Sequence, residues 1–220
     1  SREKPQIETY FAEDQKFEAD LSSRGKQELA EKVHAASALP VSFTYQDNPR
    51  GLGHAVLCAA DGVGDQPFFV LLGDYFVPDR QMCIRMAEIS KQHNGASVIA
   101  VAPVPADQVN RYGIIAGEKP RPEDAPSHLF IVGRYLLSPK IMELLATQGP
   151  GAGNEIQLTD AMERLLAEEE MYALVIDAEE GCDTGTPAAW AATNARMALS
   201  DQSSAAAFKE ALGSYANRIG

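Results

Sequence analysis

Pro67-Phe-Phe-Val-Leu-Leu-Gly-Asp74 decides how the rest of the chain reads. Five apolar residues run from Phe68 to Leu72 without a polar break, which is the length of a strand and too short for a membrane span. A continuous apolar run of this kind predicts a strand buried on both faces of a parallel sheet, with Gly73-Asp74 closing it. Working outward, Ser97-Val-Ile-Ala-Val101 repeats the pattern, and Ile114-Ile115, Leu129-Phe-Ile-Val132 and Met171 to Ile176 follow as later strands. Val41-Ser-Phe-Thr-Tyr45 alternates apolar and polar residues and predicts one strand upstream. Helices fill the intervals: Gly51 to Ala60, Asp79 to Gln92 (stopped by His93-Asn94-Gly95), a helix capped by Ser138 and running to Thr147, Leu158 to Glu170, and Ala188 to Leu199. Gln6 to Phe11 and Lys26 to Ala36 read as helical, and Asp201 to Ile219 as a helical tail. Strands alternating with helices predict an α/β sheet with helices on both faces.

Composition narrows the function. The 220 residues are 45% apolar and 23% charged, which excludes disordered and fibrous classes. Asp and Glu outnumber Lys and Arg 31 to 19, a formal charge of −12, and such a field repels nucleic acid and anionic membrane alike. Any phosphate bound here must be met by local cations, backbone amides or a metal. Ser1 to Asp20 lacks the apolar core of a signal peptide. Cys58, Cys83 and Cys182 form no CxxC pair or zinc spacing, and that scattered usage fits a reducing cytoplasm.

In α/β sheets ligands sit beyond the carboxyl ends of strands, at the switch point of strand order. Four segments stand there: Gln46 to Gly53, Gly73-Asp74, Tyr112-Gly113 and Cys182 to Gly185. Gln46-Asp-Asn-Pro-Arg-Gly-Leu-Gly-His54 joins a predicted strand to a helix through two glycines. Glycine lets a ligand ring approach bare backbone, and a carboxamide such as that of Gln46 matches a donor–acceptor base edge. An ordinary strand–turn–helix would carry the same residues. Asp74 and Asp183 each follow a strand directly. Two carboxylates without a histidine cluster suit a hard cation such as Mg²⁺, completed by substrate phosphate oxygens; both would also serve as turn aspartates. Lys119, beside Pro120, is a candidate phosphate partner or a solvated loop lysine. His54 reads as structural, and His93 and His128 have no triad partner at recognisable spacing.

Taken in order, Gln46 to Val56, Val70-Leu-Leu-Gly-Asp74, Arg111-Tyr-Gly-Ile114, Glu118-Lys-Pro120, Ala125-Pro-Ser127, Ile131-Val-Gly-Arg-Tyr135, Gly153-Asn-Glu-Ile-Gln-Leu-Thr-Asp-Ala161 and Asp183-Thr-Gly185 resemble the bacterial UTP–glucose-1-phosphate uridylyltransferases. The likeness runs from Ser1 to about Ser200. It implies a Rossmann-like nucleotide-diphospho-sugar transferase fold, a three-layer α/β/α sandwich with a mixed, mostly parallel sheet lacking its first strand. It implies a nucleotidyltransferase domain over residues 1–200 and a helical tail over 201–220. The implied reaction joins UTP and glucose 1-phosphate into UDP-glucose and pyrophosphate, with Mg²⁺ as cofactor. Carried over by position, Gln46, Pro49 and Gly51 would contact the uracil, and Asp74 and Asp183 would hold Mg²⁺. Gly113, Glu118 and Glu155 would face the sugar, and Lys119 its phosphate. The implied setting is a cytoplasmic homodimer or tetramer.

Three departures stand against the family pattern. The Gly-x-Gly-Thr-Arg phosphate loop and the Pro-Lys-Glu motif that follows it are absent from this chain, so the expectation is an incomplete N-terminus. Glu118-Lys-Pro120 follows the Tyr-Gly strand more closely than in the family, as though a segment near Glu118 were missing. Tyr75 stands where the family often has a second acidic residue. Two other readings stay open: a dTTP-using hexose-1-phosphate thymidylyltransferase, and a non-catalytic nucleotide-sugar-binding subunit.

Overall fold

Residues Val98, Ala100, Val101 and Ala102 are completely shielded from solvent, and the sheet is built around the strand they form. In this computed structural model, residues 5–107, 113–114, 117–118, 123 and 127–219 are described. The helices are α1 (Pro5–Phe11), α2 (Gln15–Ser23), α3 (Gln27–Ser37), α4 (Leu52–Leu57), α5 (Ala60–Val63), α6 (Met82–Gln92), α7 (Lys140–Ala146), α8 (Leu158–Leu166), α9 (Pro187–Ser200) and α10 (Ala205–Ile219). The strands are β1 (Phe68–Leu71), β2 (Tyr75–Phe76), β3 (Ser97–Pro103), β4 (Gly113–Ile114), β5 (Gly117–Glu118), β6 (Leu129–Leu137), β7 (Met171–Val175) and β8 (Cys182–Asp183). None of the described helices is long and apolar enough to cross a membrane. The chain divides into two compact units, Ser1–Gln66 with Pro139–Arg164, and Pro67–Ser138 with Leu165–Gly220.

The second unit holds the sheet. Its order is β5-β4-β6-β3-β7, with β1 also paired to β6. β3 runs parallel to β7 and antiparallel to β6, while β1 and β4 are both antiparallel to β6. β1, β3, β4 and β7 therefore share one direction, as a mostly parallel α/β sheet requires. Because β6 runs against them from the middle, β3 and β7 form the one parallel pair among the described residues. Val98, Ala100 and Ala102 of β3 pack with Phe130, Val132 and Leu136 of β6, with Ile176, and with Met82 and Met86 of α6. Met82 and Met86 lie one turn apart, so α6 turns a single apolar face to the sheet. The predicted stop is observed: Asn94 and Gly95 adopt positive φ (56° and 85°), and Gly95 N donates to Ser90 O at 2.8 Å, a left-handed C-terminal closure.

β6 also carries a bulge. The β3–β6 register passes from Val101↔Ile131 to Ile99↔Tyr135, so β6 spends more residues than β3 across that interval. Gly133 sits within it at φ +68°, with Leu72 Cβ only 3.0 Å from where a side chain would begin. Bulges of this kind re-aim the next side chain, here Arg134.

The first unit is helical. α1 and α2 pack on α3, and α4 packs on α7.

Four expectations are corrected. Val41–Tyr45 is irregular rather than a strand. Its Thr44 Oγ1 donates to Cys58 O at 2.8 Å and its Tyr45 hydroxyl to Glu8 at 2.6 Å, and among the described residues no strand pairs with it; alternation alone makes no ladder. β1 is not buried on both faces, since Phe69 and Leu71 remain 37% and 54% exposed, and its partner β6 is antiparallel. Ser138 does not cap α7. Its hydroxyl donates to Glu169 Oε2 at 2.7 Å, and its N–H to Ser97 Oγ at 2.9 Å. α8 ends at Leu166, short of Glu168-Glu169-Glu170, because clustered carboxylates oppose the negative end of a helix.

Met86 is wholly buried. We expect Met86→Ala to lower unfolding free energy by about 2–5 kcal/mol, measured by urea denaturation, with the circular dichroism spectrum of the folded state unchanged.

Candidate active site

The loop ending at Asp74 is held from three directions within the second unit. Arg134, turned by the β6 bulge, donates through Nη1 to Leu72 O (2.9 Å) and Gly133 O (3.0 Å), and through Nη2 to Tyr75 O. Leu72 N donates to Gly133 O at 2.9 Å. From the other side, Thr184 gives both its N–H (2.8 Å) and its hydroxyl (2.7 Å) to Asp74 O. Burial pushes the Arg134 guanidinium below its ordinary value, while Cys83, Tyr75 and Asp74 act in the opposite direction. An arginine stays charged through such a shift.

β2 and β8 form a two-residue antiparallel ladder in which Tyr75 faces Asp183. Asp74, one residue before that ladder, and Asp183, at its end, are thereby brought together from positions more than one hundred residues apart in the chain. Asp183 is itself fixed: its carbonyl accepts from Thr193 Oγ1 at 3.1 Å, and its Oδ1 from Gly185 N at 2.7 Å. Arg196 ties the preceding turn, donating to Gly181 O at 3.3 Å and to Glu179 O. Tyr75 turns inward, packing beside Phe130 with ring centres 6.0 Å apart and closing over Gly181. Among the described residues no third Asp, Glu, His or Cys joins the two aspartates.

The first unit carries a second arrangement. Gly51, at φ +97°, opens α4, and a side chain there would begin 2.7 Å from Glu155 Cβ. Gly53 N donates to Ile156 O (2.9 Å) and Ile156 N to Arg50 O (2.6 Å), stitching the glycine turn to the segment that bears Glu155. Gln46 Nε2 donates to Gly51 O at 3.1 Å and to His54 Nδ1 at 2.8 Å. Pro49 lies exposed on the same loop. Gln46, Pro49, Gly51 and Glu155 thus share one corner of the fold.

A nucleotidyl transferase family model matches residues 21–199. The chain belongs to that family. It is similar to UTP–glucose-1-phosphate uridylyltransferase 2 of Staphylococcus saprophyticus, with 39% identity over 217 residues, 92% of this chain and 75% of the relative. It is also similar to the UTP–glucose-1-phosphate uridylyltransferase of Streptococcus pneumoniae serotype 4, 41% identical over 191 residues, 78% of this chain and 64% of the relative. Among solved structures it is similar to the UTP-bound UGPase of Acinetobacter baumannii, with a TM-score of 0.78 and 32% identity, covering 94% of this chain and 78% of that one.

For this nucleotidyl transferase, two of the three remaining expected site residues fall on the paired strands β4 and β5. Gly113 stands directly opposite Glu118 in its ladder, so two positions read from the sequence as sugar-facing are cross-strand partners. Lys119 lies outside the described residues. Sequence reasoning assigned no role to Arg134, Thr184 or Thr193. Arg134 left a signal, since a cation set between Gly133 and Tyr135 in an otherwise apolar strand must find acceptors when buried. The two threonines left none, because only the β2–β8 pairing makes their hydroxyls useful.

Gly53 leaves no room for a methyl group, with Ile156 O 2.7 Å and Leu145 Cδ2 2.8 Å from its Cβ position. Gly53→Ala is expected to destabilise the fold by about 1–3 kcal/mol, read from the urea midpoint at unchanged slope.

Proposed function

We propose that this chain transfers a uridylyl group from UTP to glucose 1-phosphate, releasing pyrophosphate and forming UDP-glucose. The observation that carries the reading is the β2–β8 pairing, which sets Asp183 opposite Tyr75 while Thr184 bonds the carbonyl of the neighbouring Asp74, in a chain whose relatives bear the uridylyltransferase name. The donor set suits Mg²⁺: two carboxylates carried on hydrogen-bonded backbone offer oxygen chemistry only, and substrate phosphate oxygens would complete the shell. When bound, the ion supplies charge neutralisation for the phosphate oxygens.

The remaining roles belong to the chain itself. Gln46 and Gly51 receive the uracil edge, with Pro49 shaping the wall beside them. Gly113, Glu118 and Glu155 contact sugar hydroxyls, and Lys119 holds the sugar phosphate. A phosphate oxygen of glucose 1-phosphate attacks the α-phosphorus of UTP in line. The new oxygen–phosphorus bond forms as the bond to the β-phosphate breaks, and pyrophosphate departs. No covalent enzyme intermediate is required, so alignment and charge balance dominate the rate. A lysine and a divalent ion also explain how a chain of net charge −12 accommodates two anionic substrates. Residues 1–200 form the nucleotidyltransferase domain in this reading and 201–220 its helical tail, in a cytoplasmic dimer or tetramer.

Asp74→Asn is expected to reduce turnover about 100-fold or more while thermal unfolding stays near wild type. Wild-type turnover of that variant across a Mg²⁺ titration would remove Asp74 from the site. A second reading, transfer from dTTP, is favoured by the fact that thymine presents the same imide edge to Gln46 as uracil does. Pyrophosphate release measured with UTP and dTTP in competition is expected to favour UTP; equal rates would support the thymidylyl reading, and no release from either would support a purely binding role.

A further inference from the structure

A carboxamide can be held in either of two orientations, and Gln46 is held in one. Its Nε2 lies 3.1 Å from Gly51 O. A backbone carbonyl only accepts, so the atom facing Gly51 is the NH₂ group and not the oxygen. The second amide proton points to His54 Nδ1 at 2.8 Å, which accepts it only when that nitrogen bears a lone pair. The other ring nitrogen faces Cys58 Sγ at 3.8 Å and carries the ring proton. Both Gln46 donors are thereby consumed, and Oε1 has no partner among the described residues.

We propose that His54 is a specificity-positioning residue: its unprotonated Nδ1 locks the Gln46 carboxamide so that only an acceptor oxygen is left for the base. The inference rests on the proposed role of Gln46 as a base-contacting residue. An acceptor at that point pairs with a pyrimidine whose N3 carries a proton. It repels one whose N3 is a lone pair. Uracil and thymine belong to the first kind and cytosine to the second, so the lock discriminates UTP from CTP while leaving dTTP to be rejected elsewhere.

The surroundings favour the neutral imidazole. Burial lowers its pKa from the ordinary histidine value, and Arg50 on the adjoining loop lowers it further. Cys58 is the neighbouring titratable group on its own side, and α7, packed on α4, carries Lys140 and Glu143 as its ionisable residues. The sign is fixed by the direction of the shift. The neutral form, and with it the lock, is complete above the usual histidine range. It is lost as pH falls through the lowered value, when Nδ1 becomes a donor facing a donor.

The test is isothermal titration of the full chain with UTP and with CTP, each in Mg²⁺ buffer, from pH 5 to pH 8. The readout is the ratio of the CTP to the UTP dissociation constant, in which the shared triphosphate cancels. In His54→Phe the ratio is expected to fall about three- to tenfold at pH 7.5. In His54→Asn, whose Oδ1 takes the place of Nδ1 as acceptor, it is expected to hold. The wild-type ratio should drop on acidification, and that of His54→Asn should stay flat. If His54→Phe does not fold by circular dichroism, the contrast between those two pH profiles decides the matter. A ratio unchanged in His54→Phe, or parallel pH profiles, with UTP affinity lost in Gln46→Ala, would overturn the role of His54 alone. UTP affinity unaffected by Gln46→Ala would overturn the base reading beneath it.

Discussion

The guanidinium of Arg134 lies across the carbonyls of Leu72 and Tyr75, and the geometry around Asp74 depends on it. A strand end is ordinarily a place where backbone polar groups lose their partners. Here the carbonyls on either side of Asp74 are gathered by one rigid fork, whose donors match several acceptors at once. Thr184 then takes the carbonyl of Asp74 itself. The carboxylate projects from a backbone with little freedom to drift, which is what ligation of a small hard cation demands. The fork reaches this place because β6 carries a bulge at Gly133, and the bulge holds because β6 is clamped between β3 on one side and β1 and β4 on the other.

The same logic recurs around Gln46, on a smaller scale. A glycine turn is stitched to the segment bearing Glu155, and a side-chain amide is then oriented by one carbonyl and one imidazole. In both places the residue assigned to the ligand is exposed or half-buried, while the groups that orient it belong to the scaffold behind. An acidic chain that handles phosphates must concentrate its few favourable contacts, because its overall field works against it. Fixed backbone and oriented dipoles supply such contacts without adding net charge.

Much of the architecture was legible. The apolar runs at Ser97–Val101 and Leu129–Val132 are strands because no other structure buries consecutive Val, Ile and Leu side chains so economically. The stop at His93-Asn94-Gly95 is where the chemistry of Asn and Gly puts it. The failures are equally physical. Val41–Tyr45 has the alternation of a strand but no ladder, and pairing is a property of two segments. The β1 run is apolar throughout, yet it pairs only with β6 and leaves Phe69 and Leu71 open. Ser138 has the residue type of a helix cap, but Glu169 offers its hydroxyl a charged acceptor, a stronger partner than a neutral one.

Residue type and order by themselves determined the fold class, the family, and which aspartates, glycines and amides were worth watching, because hydrophobic periodicity and motif chemistry are local properties. Only the tertiary structure decided that Asp74 and Asp183 adjoin, that Tyr75 turns inward, and that Arg134 and His54 orient the residues beside them. Those facts follow from strand register and side-chain direction. Both are settled by packing between segments far apart in the chain, where no pattern within either segment can specify the other.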